Sequence, residues 1–247
     1  MACLAGKARF ATGLKQTLPL LAQCRTFSQT QTRSGKLYEL RTYSLRPENV
    51  KEYLELTKEK LHLRTAHSKL CGFWITELGA INEVNHIWEF DNFAHRTAVR
   101  QNVASDPVWI ESYFGRITPF LVKQENAVLT PSPRVELQDT PVKDGGVYEL
   151  CKYEARPGSE GPLMEAILKK AEVVNASGSG KLMGLFNTEV GQNNSVYHLW
   201  NYESMDKRQE VETAFKESSA GSASELTDHV TGMSNKLMLP FVVSPLK

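Results

Sequence analysis

Polar and apolar positions follow one pattern from Lys36 onward and then follow it again about 110 residues later. Lys36 to Leu45 mixes Tyr, Leu and Thr in alternation and predicts a strand. Pro47 and Glu48 open a helix, Pro being tolerated in a first turn and an acid favoured there by the helix dipole. Val50, Tyr53, Leu54, Thr57 and Leu61 recur at helical spacing and form its expected buried face. Phe73 to Leu78 and Val84 to Phe90 read as two strands of a hairpin, turned by Gly79-Ala80 and Asn82. Asp91 or Asn92 caps a helix running to about Val103. Ser105-Asp106-Pro107 stops it and starts another, with Trp109, Ile110, Tyr113 and Ile117 on its apolar side. Gln124 to Leu129 closes the set as a last strand.

The second pass repeats the residues as well as the pattern. Leu37-Tyr38-Glu39-Leu40 returns as Val147-Tyr148-Glu149-Leu150 at a spacing of 110, and Asn85-His86-Ile87-Trp88 as Tyr197-His198-Leu199-Trp200 at 112. Gly72-Phe73-Trp74 is echoed by Gly184-Leu185-Phe186. In the second pass Leu163, Ile167, Ala171 and Val174 form the helix face, and Leu182 to Tyr202 holds the hairpin. Gly178-Ser179-Gly180 and Ser218 to Ser224 read as loops. A period this long makes each copy a small domain, not a solenoid layer. The order β-α-β-β-α-β is ferredoxin-like. Residues 36–130 and 147–247 are the two expected domains, with the Pro/Gly-rich stretch 131–146 as linker. Each sheet has a face that no helix covers. Packing those two faces together gives an α+β barrel, the expected fold class.

The N-terminal 35 residues differ in kind. Lys7, Arg9, Lys15, Arg25 and Arg33 are basic, no acid precedes Glu39, and Leu4, Ala8, Ala11, Leu14, Leu18 and Leu21 form an apolar stripe. Such a segment fits a mitochondrial presequence, with Arg25-Thr26-Phe27-Ser28 offering a cut after Phe27; the alternative is a basic tail on a cytosolic protein. The expected location is therefore mitochondrial, with room for a cytosolic pool.

At 247 residues, 41% hydrophobic and 23% charged, the chain has ordinary globular composition, and its net charge of +1 argues against nucleic acid as a partner. No apolar run is long enough to span a membrane. The four cysteines (Cys3, Cys24, Cys71, Cys151) show neither pairing motif nor repeat symmetry, so neither a disulfide framework nor a zinc site is expected. Nucleotide, phosphate, serine-hydrolase and c-type haem motifs are missing, and no cofactor is expected. Edge strands pairing between chains offer a route to a homo-oligomer.

The duplicated His-x-Trp carries the candidate chemistry. Val84, His86, Trp88 and Phe90 share one strand face, as do Val196, His198, Trp200 and Tyr202. His86, Trp88, His198 and Trp200 are therefore the candidate cavity residues, lining a space between the sheets for haem or an apolar small molecule. Against this, duplicated residues commonly serve the fold, because active sites diverge between copies. His62 and His67 lie about 140° apart on a helix, and neither they nor His95 has the partners of a metal site. Glu77 and Glu189, each two residues before a hairpin glycine, read as turn residues. Tyr53-Leu54-Glu55-Leu56 has the form of an autophagy-binding peptide but falls on the buried helix face.

The runs Gly72-Phe73-Trp74-Ile75-Thr76-Glu77, His86-Ile87-Trp88-Glu89-Phe90 and Asp91-Asn92-Phe93-Ala94-His95-Arg96-Thr97 resemble the NIPSNAP family, and His62 to Ser68 and Ser244-Pro245-Leu246-Lys247 its third subgroup. The resemblance covers residues 36 to 247 and implies a dimeric α+β barrel fold with mitochondrial association. It implies no catalytic residues, and a role as an adaptor engaging other proteins, including autophagy receptors on damaged mitochondria or vesicle-related partners. The expected function is thus a non-enzymatic mitochondrial binding protein. The alternative is a monooxygenase-like enzyme or carrier that holds haem or a small molecule.

Overall fold

The computed structural model describes residues 35–218 and 226–247. The expected presequence with its cut at Phe27 lies outside these residues apart from Gly35, as does the Ser218 to Ser224 loop apart from Ser218.

Eight strands make one closed antiparallel barrel. Copy one contributes β1 (Leu37–Leu45), β2 (Lys69–Leu78), β3 (Glu83–Phe90) and β4 (Leu121–Pro131). Copy two contributes β5 (Val147–Ala155), β6 (Gly180–Val190), β7 (Ser195–Tyr202) and β8 (Val230–Pro240). Around the barrel the order is β1-β3-β2-β8-β5-β7-β6-β4, and β4 returns to β1. Each half is β4-β1-β3-β2 or its counterpart β8-β5-β7-β6, the ferredoxin-like arrangement. The seams are reciprocal, for β8 pairs with β2 and β4 with β6. Because every strand is paired on both sides, the edge-strand route to a homo-oligomer is closed.

Period-two alternation sorts the side chains. Tyr38, Leu40, Trp74 and Ile87 meet Tyr148, Leu150, Phe186 and Leu199 in a core inside the barrel. Two ring contacts there are symmetry mates, Trp74 on Tyr148 (5.3 Å between centroids) and Tyr38 on Phe186 (5.4 Å). The repeated glycine explains itself at this point. A Cβ on Gly72 would lie 2.0 Å from the Trp74 ring, and one on Gly184 2.6 Å from the Phe186 ring. Both glycines sit where the strand register shifts, at Leu70/Gly72 and Leu182/Gly184.

Helices cover the outer faces: α1 (Val50–Thr65) and α2 (Phe93–Ser105) over copy one, α5 (Glu160–Ala176) and α6 (Met205–Glu217) over copy two. Asn92 caps α2, its side chain accepting the His95 N–H at 2.8 Å, and Ser204 does the same for α6. Leu163, Ile167, Ala171 and Val174 of α5 are buried, as expected. On α1 the buried set is Tyr53, Leu56, Thr57, Leu61 and Arg64, whereas Leu54 and Val50 are only partly covered. The stripe is centred on a charged residue, which a count of apolar positions passes over. β2 starts four residues before Phe73 because Gly72 sits in a strand irregularity instead of ending a segment.

Copy one carries a helical run between its second helix and its last strand. Asp106 caps α3 (Pro107–Trp109), accepting the Trp109 N–H; a π turn (Ile110–Phe114) follows, then α4 (Gly115–Ile117) and a 3-10 turn (Thr118–Phe120). The wide turn keeps Trp109, Tyr113 and Ile117 buried in one line and swings Ile110 to the surface, 39% exposed, against the expectation of a buried Ile110.

Candidate functional site

His86 and Trp88 point outward from the barrel, toward α1 and the π turn. With Arg41, Tyr43 and Phe73 from the sheet they floor a cavity of about 310 Å³. Tyr53, Leu61 and Arg64 of α1 wall one side, and Trp109, Tyr113 and Ile117 wall another. Arg100 and Ala104 of α2, with Ile110 and Phe114, form its exposed rim.

The floor has a defined protonation state. Trp88 Nε1–H donates to His86 Nδ1 at 2.6 Å. Nδ1 therefore presents a lone pair, and Nε2 carries the proton. Burial, reinforced by the Arg41 and Arg64 charges, holds the imidazole well below its ordinary pKa, so it stays neutral. Phe73 stacks on the ring at 5.2 Å and Tyr43 meets it edge-on at 4.9 Å. A neutral ring with this tautomer offers an N–H donor and no lone pair to a metal. His86 therefore does not fit as a haem ligand, and the same bond, Trp200 Nε1–H to His198 Nδ1 at 2.6 Å, disqualifies His198.

Two arginines on the cavity differ in their partners. Arg41 donates to the Glu39 carboxylate at 3.0 Å and to the Tyr43 hydroxyl. Glu39 is 1% exposed and also accepts both Arg96 donors and the Asn126 amide. Burial pushes the Glu39 carboxyl up, but the Arg96, Arg41 and Asn126 contacts outweigh it and hold it below the usual range. Arg64, by contrast, lies 4.2 Å over the Trp88 ring and donates to Ser68 Oγ at 2.6 Å. No carboxylate among the described residues forms an ion pair with it. Burial and the neighbouring Arg41 push it down to about 10, which leaves it charged at neutral pH. The Tyr53 hydroxyl is fully buried in the same wall, beside Tyr113 and Thr57.

Copy two keeps the His-x-Trp bond but changes the side chains that line the cavity in copy one. At a spacing of 110, Tyr53, Thr57, Arg64 and Arg41 become Leu163, Ile167, Val174 and Cys151, and all four replacements are buried. Lys170 lies 5.3 Å from the Trp200 ring centre and 5.6 Å from that of Phe215, and it pairs with Glu212. His198 Nε2, a donor by its tautomer, has no partner among the described residues. The expectation of one cavity between the sheets lined by both histidines and both tryptophans is thus corrected. The barrel interior is the other face of these strands, and the two dyads belong to separate cores. Sequence reasoning missed Arg64, Arg41 and Tyr53, which are unduplicated, and also the Glu39–Arg96 clamp. That clamp had a signal, since Glu149 and Arg208 repeat it at 110 and 112, with Arg208 on Glu149 in the structure. Among the described residues no group of His, Cys, Asp or Glu is placed to hold a metal. His62, His67 and His95 instead bond to the Glu59 carbonyl, the Asp106 carboxylate and the Asp91 N–H. Glu77 and Glu189 are exposed beside their turns. No helix of the described residues is long and apolar enough to cross a membrane.

A barrel closed from two βαββαβ halves with helices outside defines the dimeric α+β barrel class, here with both halves in one chain. The fold of a candidate monooxygenase from Fusobacterium nucleatum agrees, with a TM-score of 0.63 over 84% of this chain and 93% of that one at 9% identity. That likeness concerns the fold alone. The chain belongs to the NIPSNAP family, whose profile matches residues 38–134 and 148–245. It is 37% identical over 216 residues to human Protein NipSnap homolog 3A, covering 86% of this chain and 87% of that protein. With mouse Protein NipSnap homolog 3B it shares 37% identity over 228 residues, 91% and 92% of the two chains.

Proposed function

We propose that this chain is a ligand-binding NIPSNAP protein whose first repeat holds a small molecule and whose second repeat completes the barrel. The observation that carries this reading is the cavity itself, walled in one copy by a buried guanidinium with no carboxylate partner among the described residues, where the other copy has Leu163, Ile167, Val174 and Cys151 buried at the positions of Tyr53, Thr57, Arg64 and Arg41. The role is binding without conversion. The lining includes no Ser, Cys, Lys, Asp or Glu, and His86 is a neutral donor with its basic nitrogen already engaged. Occupancy is then what protein partners of an adaptor sense. Mitochondrial residence is proposed from the acid-free N-terminal segment alone, and import into isolated mitochondria with shortening near Phe27 tests it.

Native mass spectrometry of the full chain, before and after denaturation, tests the binding reading. A retained small mass is expected, lost in Leu61→Phe, which fills the cavity at little cost in stability. An apo wild type, together with a Leu61→Phe penalty typical of an overpacked core, about 1–3 kcal/mol, overturns it.

A further inference from the structure

The cavity's walls differ in chemistry, and the difference names a ligand class. On one sits Arg64, 8% exposed, charged, and bonded through a single described donor to Ser68. A buried cation without a counter-ion is costly, and an incoming anion relieves that cost. The nearest acid, Glu39, is already held by Arg96, Arg41 and Asn126 and is not free to serve. Beside Arg64 the His86 ring presents Nε2–H, a neutral donor, on the cavity. Another wall is apolar and aromatic, made by Trp109, Tyr113 and Ile117. Arg100 stands exposed at the rim, where a positive charge raises the local concentration of anions. In the second repeat Val174 stands buried where the first has Arg64.

We infer that the first-repeat cavity takes an amphipathic monocarboxylic acid, its carboxylate on the Arg64 guanidinium and the His86 N–H and its hydrocarbon body against Trp109, Tyr113 and Ile117. Arg41 already donates to Glu39 and to the Tyr43 hydroxyl, so Arg64 is the buried guanidinium of the lining that has no carboxylate contact among the described residues, and it is the one that meets the head group. The planar fork of Arg64 also matches a carboxylate in two-point contact. This inference rests on the ligand-binding reading above, and the two fail differently.

The test is calorimetric titration of the full chain with decanoate, decanol and decyl phosphate, in the wild type, Arg64→Met and Arg64→Lys. Decanoate is expected to saturate one site and to bind about ten- to a hundred-fold more tightly than decanol, the range of a charge-assisted hydrogen bond. Arg64→Met removes that preference and leaves decanol unchanged, and Arg64→Lys restores part of it. Equal binding of acid and alcohol by the wild type overturns the acid assignment while the ligand-binding reading stands. Tighter binding of decyl phosphate than of decanoate replaces the carboxylate with a phosphate head group. Saturable binding of none of the three overturns both readings. Should Arg64→Met fail to fold, the wild-type comparison of acid with alcohol decides alone.

Discussion

Arg64 and Gly72 show how single residues divide between function and fold. Arg64 is a buried charge that the fold does not need, as Val174 demonstrates at the same place in the other repeat. Exchanging a buried unpaired cation for an apolar side chain of similar length removes a desolvation cost. Arg64→Met is therefore expected to leave ligand-free stability unchanged or raised by about 1 kcal/mol, the usual direction when a site is traded for stability. Chemical denaturation of the ligand-free protein checks this, and a loss above about 2 kcal/mol would mean that Arg64 holds the core together. Gly72 is the opposite case. An added Cβ falls on the fully buried Trp74 ring, which is wedged against Tyr148 across the barrel and has nowhere to go. Gly72→Ala is expected to cost at least the 1–3 kcal/mol typical of overpacking, about as much as Gly184→Ala in the symmetric position. Melting curves of the two variants test that equivalence.

Helices α2 and α6 are docked by the same device with unequal support. In each, an arginine from the first turn reaches a glutamate on the first strand of its repeat: Arg96 to Glu39, Arg208 to Glu149. Glu39 has two further donors, Arg41 and Asn126; Glu149 has Asn235 alone, because Cys151 stands where Arg41 would be. Arg208→Ala therefore strands a carboxylate that Arg96→Ala does not. We expect losses of about 3 kcal/mol and about 1–2 kcal/mol respectively; equal losses in urea titrations would show that Arg41 gives no backup. The sequence showed the Asn92 cap, the repeated glycine and the His-x-Trp face, whereas the clamp went unread although the repeat writes it twice, and the strand irregularity at each glycine appears only in the structure. β4 was legible only in part, since its first half is a polar, exposed run with no apolar alternation to reveal it. The cavity was harder for the reverse reason. Its decisive side chains, Arg64, Arg41 and Tyr53, are those in which the copies differ, and matching the copies directs attention to what they share. The π turn that shapes its outer wall has no counterpart among the described residues of copy two.

At the scale of the whole molecule, duplication leaves one barrel with two buried histidines, and the pH dependence of stability should count both. His86 and His198 sit in separate cores, each neutral, each held well below the ordinary value of 6.5 by burial, with Arg41 and Arg64 opposing a proton on the first and Lys170 on the second. In the unfolded chain both take up a proton as the pH falls through about 6.5; in the folded chain neither does. A depressed folded pKa contributes stability that is complete above the unfolded value and is lost below it. Between pH 6.5 and 4.5 the barrel should therefore lose up to about 1.4 kcal/mol per pH unit for each histidine. The Glu39 carboxyl, itself depressed, adds its loss only below about 4.5, so the two effects separate along the pH axis. Replacing each histidine by glutamine keeps an acceptor for the tryptophan N–H and removes the titration. Urea midpoints at pH 7.5, 6.5 and 5.5 should fall for the wild type, fall about half as steeply for His86→Gln or His198→Gln, and stay nearly level for the double variant. A wild type equally stable at all three values would mean that at least one ring accepts its proton in place, and the tautomer argument that makes His86 a donor to the ligand would fail with it.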